Sequence, residues 1–407
     1  MAFNGELYEI FSWLPPKLLY KLSRKSKPCS EFLSESRFVE KQCRNSEIKS
    51  VEYILTQDDS SLHSKAQYLK LCTLGDPDHA SNARLSSYIP SEELNDLKNH
   101  SRVIASSNGL LLCQTYNFQK PMKFFLCNPA TRSIVYIKPP SEDIDTSIDS
   151  MIFICGKNYS EKPSKFPMDF TLLLFYNPSW SNNQNVYVLQ DGNWELKKEN
   201  LFIGPGNVDF QNPVHCTDGL YLLSDAKRTE NNCGTIPYYL LHYDIQHGTS
   251  RILPLPNEAQ DDDINHTSIS IFGWEKSDMD HSSFRSICLV KIKYSEIISI
   301  WTHDIGHMDR EKLIWRETSM MNKSREHDLG IEGFVPWRPS FAIIEKKLIM
   351  AAGGHVYSYC LEDMNMLRKA KRVSNINGYS TGPFRFYSYS STLRPCNKDI
   401  ITGLMSS

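Results

Sequence analysis

The sequence predicts a mainly β chain headed by a small α-helical domain, and three observations carry that expectation. Apolar residues recur at helical spacing near the start, in "LYEIFSWLPPKLLYKLSRKSK" (residues 7–27). Beyond about residue 47 the apolar pattern alternates with a period of two, and turn residues recur. Strand groups of similar length then follow one another at intervals of about 60 residues, with no strong helical segment between them.

Composition bounds the rest. A chain of 407 residues, 40% apolar and 23% charged, is globular and long enough for a large core. A net charge of −2 offers no concentrated Lys/Arg face for a phosphate backbone, so nucleic acid is not an expected partner. The N-terminus carries Glu6 and Glu9 and lacks the basic-then-apolar order of a signal peptide. No apolar run approaches the ~18–20 residues of a spanning helix, so no membrane is expected either. The eleven cysteines include no C-x-x-C pair. Their nearest regular spacings, Cys29 to Cys43 and Cys113 to Cys127, match no common zinc signature. They are expected to be mostly core residues in a reducing compartment, cytoplasmic and/or nuclear. The N-x-S/T matches at Asn158, Asn265 and Asn322 would be unused there.

At the N-terminus, Leu7, Ile10 and Leu14 share one helical stripe, Pro15–Pro16 break it, and Leu18, Leu19 and Leu22 resume it. A unit of about 40 residues is too small to sustain a fold on its own core, so these stripes need a partner surface. Packing on the β domain is one way to cover them and an external partner is another.

Three two-residue hairpin signals stand out in the β region. "VIASSNGLLLC" places Asn108–Gly109 between two β-prone runs, "VYVLQDGNWELK" does so with Asp191–Gly192, and "VHCTDGLYLLS" with Asp218–Gly219. Type I′ turns need positive φ at both central residues, which Asn-Gly and Asp-Gly tolerate. Two longer units share an order of features: residues 108–140 and 218–256 each run from a hairpin through a linker to a strand ending at Asn128-Pro129 or Asp244-Ile245. A polar turn and a last strand closed by prolines follow. Proline suits an outer strand, where its missing N–H breaks no ladder bond. Equivalent last strands centre near Cys72, Ile134, Trp194, Ile252, Trp315 and Leu367. Six such units suggest radial repetition, a β-propeller, with an irregular pair of β-sandwiches as the alternative.

The opening "ELYEIFSWLPPKLLYKLSRKSKPCSEFLSESRFVE" resembles the F-box, matching at Leu7, Glu9, Ile10, Phe11, Leu14, Pro15, Lys17, Leu18, Leu19, Leu22, Ser26, Lys27, Phe32, Leu33, Arg37, Phe38 and Val39. "SSNGLLLCQTYN" and "FFLCNPATRSIVYIKPP" are similar to the start of the associated domain that follows the F-box in a large plant family, where "CNPATR" (127–132) is a recurrent phrase. The resemblance implies a three-helix F-box over residues 1–45 and a kelch-like β-propeller domain of about six blades over 47–404. It further implies a substrate receptor of an SCF-type cullin–RING ubiquitin ligase. In such a receptor Leu7, Ile10, Phe11, Leu14, Pro15, Leu18, Leu19 and Leu22 dock on the adaptor subunit, and cullin and RING subunits are reached through it. The β domain holds the protein to be ubiquitinated, through residues the sequence does not name. No catalytic residue, cofactor or metal is implied.

The chain departs from the family in places. Phe3-Asn4 stands where Leu-Pro is usual, and Arg24-Lys25-Ser26-Lys27 with Cys29 where Cys-Val-Ser-Lys and a Trp are common. Lys25 in place of a buried Val would have to snorkel or shift its helix. Pro28 falls where a helix interior is expected, at a cost of about 3 kcal/mol. Weakened but surviving adaptor binding is the resulting expectation. The alternatives are a β interaction protein with a decayed F-box, acting outside the ligase, and a propeller-fold enzyme.

Other motifs offer little chemistry. "GYSTG" (378–382) has the G-x-S-x-G form, but no strand-to-helix alternation surrounds it and no histidine follows it. His303 and His307 have i, i+4 spacing without the glutamate of H-E-x-x-H. Asp261-Asp262-Asp263 lacks the alternation and glycine of a calcium loop. "RKAKR" (368–372) reads as a charged face before a nuclear address, and Trp180, Trp274 and Trp337 as packing between blades before recognition.

Overall fold

A computed structural model describes residues 5–48, 53–58, 69–73, 101–115, 123–141 without 132, 150–155, 170–177, and 183–260 without 191, 211, 217–218, 225–226 and 229–234. It also describes 267–276, 284–293, 297–304, 316–322, 341–344, 347–352, 355–360, 371–375, 384–389, 392–394 and 396.

The N-terminal segment forms four short helices where three were expected: α1 (Gly5–Ser12), α2 (Pro16–Ser23), α3 (Lys27–Leu33) and α4 (Ser36–Ile48). The reason is visible at residues 24–28. Ser26 is extended (φ −153°, ψ 140°) and caps α3, its hydroxyl accepting from the Cys29 N–H at 3.2 Å. Pro28 therefore lies in the first turn of a new helix, where its missing N–H is no loss. The expected interior-proline penalty does not arise. Nor does Lys25 need to snorkel from a buried position, for it is exposed just beyond α2. The core of this helical head is Leu19, Phe32, Leu33 and Phe38, with Tyr8, Phe11, Leu14 and Leu22 packed against it. Tyr8 meets Phe32 and Phe38 edge-on, with ring centroids 5.7 and 5.5 Å apart.

Apart from one 3-10 turn at Asn257–Ala259, the remaining described elements are strands. β1 (Tyr53–Asp58) and β2 (Leu69–Thr73) come first, then β3 (Ser101–Ser107), β4 (Leu110–Thr115), β5 (Phe124–Asn128) and β6 (Ser133–Ile137) make one sheet in chain order. β7 (Met151–Cys155), β8 (Phe170–Tyr176), β9 (Asn183–Gln190) and β10 (Asn193–Phe202) make the next. The third holds β11 (Val214–Cys216), β12 (Gly219–Leu223), β15 (Tyr239–Asp244) and β16 (Thr249–Pro254), with a small ribbon of β13 (Lys227–Arg228) and β14 (Thr235–Ile236) between β12 and β15. β17 (Thr267–Lys276), β18 (Phe284–Lys293), β19 (Ile297–Asp304) and β20 (Arg316–Asn322) form a fourth. β21 (Phe341–Ile344), β22 (Lys347–Ala352), β23 (His355–Cys360) and β24 (Lys371–Asn375) form a fifth. Finally β25 (Phe384–Tyr389) returns to pair with β1, from Tyr53 opposite Tyr389 to Asp58 opposite Phe384, in a three-stranded sheet ordered β2-β1-β25.

First strands adjoin first strands around a common axis: β25 lies beside β3, β3 beside β7, β11 beside β17, β17 beside β21 and β21 beside β25. This is a propeller arrangement, and it disposes of the pair of sandwiches. Cores lie between sheets, because successive residues of a strand point to opposite faces. Phe153 and Cys155 join the β3–β6 residues Leu110, Leu112 and Phe124 in one cluster. Ile152 and Ile154 join Leu220, Leu222 and Leu241 of the third sheet in another.

The local turn signals hold with one shift of register. Asn108 (φ 44°) and Gly109 (φ 77°) link β3 to β4. Gly192 (φ 85°) stands between β9 and β10, and Asp191 lies outside the described residues. Gly219, expected in a turn, is already the first ladder residue of β12, opposite Cys216. A Cβ on it would fall 2.3 Å from the Tyr243 carbonyl oxygen, so glycine is required there for close approach. The last strands expected near Cys72, Ile134, Trp194 and Ile252 are β2, β6, β10 and β16. Those near Trp315 and Leu367 begin slightly later, as β20 and β24.

Candidate functional site

Helix α1 carries apolar residues on more than one side. Tyr8 and Phe11, three apart, turn inward to the head's core, which leaves Leu7 and Ile10 on the outer side at 41% and 56% exposure. Leu18 on α2 is 43% exposed, and Pro15 between the helices is exposed too. The eight residues expected to dock an adaptor thus divide. Leu7, Ile10, Pro15 and Leu18 are open to solvent, Phe11, Leu14 and Leu22 are half-buried, and Leu19 is fully buried in the core. Trp13, 38% exposed, belongs with the open group and was missed. Its signal was a lone tryptophan just before the Pro15–Pro16 break.

Polar contacts fix how this surface is presented. Glu9 accepts from Trp13 Nε1 at 3.2 Å and pairs with Lys41 of α4. Those two hydrogen bonds, Lys41 first, hold the Glu9 carboxyl below its usual range. The Lys41 ammonium also sits 5.6 Å from the Tyr8 ring centroid. Beneath, the Ser12 hydroxyl donates to the Glu9 carbonyl at 2.7 Å and accepts from buried Asn45 Nδ2 at 2.8 Å. Side chains from α4 therefore hold α1 from both its exposed and its buried side.

The head sits at one end of the β domain. Ser106 Oγ donates to the Ser388 carbonyl at 2.7 Å, and Ser107 Oγ accepts from the Cys155 N–H at 3.1 Å. The first strands β25, β3 and β7 consequently run in the same direction with their C-terminal ends side by side. Leu393, just past β25, packs on the helical core. The opposite end of these sheets, marked by Ser101, Thr115, Lys123 and Ile137, is remote from the head.

Among the described residues no three metal-ligating side chains converge, and no helix is long and apolar enough to cross a membrane. His303 lies in β19 and Lys371–Arg372 open β24, while His307, residues 261–263, 368–370 and 378–382, Phe3-Asn4, Trp180 and Trp337 are outside the described residues. Seven of the described cysteines are buried and Cys29 is partly so.

A family profile for the F-box associated beta propeller domain matches residues 46–393. No curated relative matches the chain. Among solved structures it is similar to TolB from Acinetobacter baumannii, at 10% identity and a TM-score of 0.43 over 86% of this chain and 71% of that one. It is also similar to a fucose-specific lectin from Aleuria aurantia, at 10% identity and 0.40 over 72% and 83%. A hypothetical selenium-binding protein from Sulfolobus tokodaii follows at 10% and 0.39, over 82% and 76%. At that level nothing about their ligands transfers.

Proposed function

Since the chain belongs to the F-box associated beta propeller family, whose domain fits an F-box protein substrate receptor in general, we propose that it is the substrate-recognition subunit of an SCF-type cullin–RING ubiquitin ligase. The observation that carries this reading is the outer face of the head. Leu7, Ile10, Trp13 and Leu18, beside exposed Pro15, stay open on a unit whose other described aliphatic and aromatic side chains are buried or half-buried. Burying each such side chain contributes roughly 1.5–3 kcal/mol, so a handful supports a stable interface after binding costs are met.

In this proposal the four helices act as the F-box, and the adaptor covers their open apolar side and brings cullin and RING subunits with it. The sheet closed by β25 counts as a sixth blade. The receptor has no nucleophile of its own and works by proximity, giving a target lysine a high effective concentration near the charged conjugating enzyme. The target protein is met at the end of the β domain opposite the head, in the cytoplasm or nucleus. Of Lys25, Pro28 and Cys29, which suggested a decayed F-box, Lys25 is exposed beyond α2 and Pro28 lies in the first turn of α3, so two of the three reasons for decay fall away; Cys29 is half-buried in α3.

The test is calorimetric binding of the full chain to a plant adaptor–cullin N-terminal complex, beside an Ile10→Asp/Leu18→Asp variant. Both positions are exposed, so the fold is spared. The expected result is binding for the parent chain and at least about a hundredfold loss for the variant, equivalent to about 3 kcal/mol. Equal binding by both, or none by the folded parent chain, overturns the proposal.

A further inference from the structure

The Asn128 of "CNPATR" has a task that neither the strand pattern nor the family phrase assigns. Its side chain is completely buried, at the end of β5. Its Nδ2 donates to the carbonyls of Thr392 and Arg394 at 3.0 and 2.6 Å, and its Oδ1 accepts from the Ala130 N–H at 2.8 Å. Both amide hydrogens and the carbonyl are used, so the side chain has one fixed orientation. The segment it holds follows β25 and is pinned at further points. Thr392 Oγ1 donates to the Asn108 carbonyl at 3.3 Å, and Cys396 N–H donates to Ser133 Oγ at 3.3 Å.

Between those pins the segment reaches the head. The Leu393 N–H donates to Gln42 Oε1 of α4 at 2.9 Å, and the Leu393 side chain packs on the cluster of Leu19, Phe32, Leu33 and Phe38. Gln42 is itself buried, and its Nε2 donates to Ser46 Oγ at 2.8 Å. One short stretch is thus tied to two sheet turns on one side and to the helical core on the other. Buried hydrogen-bonded networks of this kind rigidify a contact, because loosening a member leaves unpaired polar groups.

We infer that residues 392–394 and 396 are a coupling strap: held by Asn128 and read by Gln42, they complete the head's core and lock head and propeller into one rigid body. Asn128, Gln42 and Leu393 are positioning residues. On the function proposed above, which this consequence alone rests on, the strap sets a single orientation between the adaptor-bound head and the target-bound end.

Asn128→Ala, Gln42→Met and Leu393→Ala are made in the full chain, and no partner is added. Nitroxides on non-natural ketone side chains at positions 21 and 197, both exposed, report the head-to-propeller distance by electron–electron double resonance. Amide exchange is followed in parallel. The parent chain is expected to give one narrow distance. The variants should broaden it and raise exchange about tenfold across residues 19–46, while strands β7–β12 and β15–β19 keep their protection. If Asn128→Ala loses protection everywhere, the two other variants decide alone. A distance that stays narrow in the folded variants overturns the inference even where their melting temperatures fall, since a merely stabilising contact would lower stability without freeing the head. Failure here leaves adaptor binding untouched, so the two proposals fall separately.

Discussion

Single side chains in this protein are often held by backbone groups. The Tyr239 hydroxyl occupies the loop after β10, donating to the Ile203 carbonyl at 2.9 Å and accepting from the Gly206 N–H at 3.2 Å. Gly204, inside that loop, has φ +103°, and a Cβ there would lie 2.3 Å from the same hydroxyl. Tyr239→Phe strands a buried N–H and C=O at about 1–3 kcal/mol, and Gly204→Ala adds backbone strain and a clash. Both variants should unfold at lower urea concentration with an unchanged slope of stability against urea. The head teaches the matching lesson about legibility. The sequence stripe Leu7, Ile10, Leu14 marked apolar character, but α1 carries a wide apolar arc in which Ile10, Leu7, Phe11 and Tyr8 follow one another. Only Phe32 and Phe38, on other helices, decide that Tyr8 and Phe11 face inward and Ile10 outward.

At the scale of elements, turns were legible and partners were not. Asn108–Gly109 is a local steric requirement, so it could be found without knowing the fold. Gly219 was displaced by one position because its glycine answers to Tyr243 on another strand. The extra helix α3 follows from a Ser26 cap that reads, in sequence, like the middle of a basic stretch. Helix α1 is attached to α4 by an ion pair whose acid has a lowered pKa, and the sign of its pH dependence follows. The Glu9–Lys41 contribution is present above the unfolded carboxyl's value of about 4.3, and it is lost as pH falls through the lower folded value. The protection factors of α1 amides, corrected for the intrinsic pH dependence of exchange, should therefore fall on acidification through that range, and the non-ionising Glu9→Gln variant should lack this step. An unaltered pH profile in Glu9→Gln would remove the ion pair from any role in holding α1.

Across the whole molecule the hardest feature to foresee was closure. Repeat length pointed to radial repetition, but nothing local in Phe384–Tyr389 says that it pairs with Tyr53–Asp58, nor that the last described residues reach the first helices. Without β25, β1 becomes an unpaired edge and the ring of first strands opens between β21 and β3. A chain ended at Pro383 should consequently melt earlier and less cooperatively by calorimetry and associate through the freed edge. A sharp transition at the parent temperature would mean that closure contributes little.

The return of β25 and Leu393 to the beginning of the chain also orders events in time. On the ribosome the helices emerge before the propeller, yet the leucine that packs on their core is made only after strand β25. Until then the head has no lid on that side and the ring has no closing strand. A product that stops before β25 cannot assemble either one, so the same contact that joins the two halves makes the finished head a certificate that the propeller between them was synthesised.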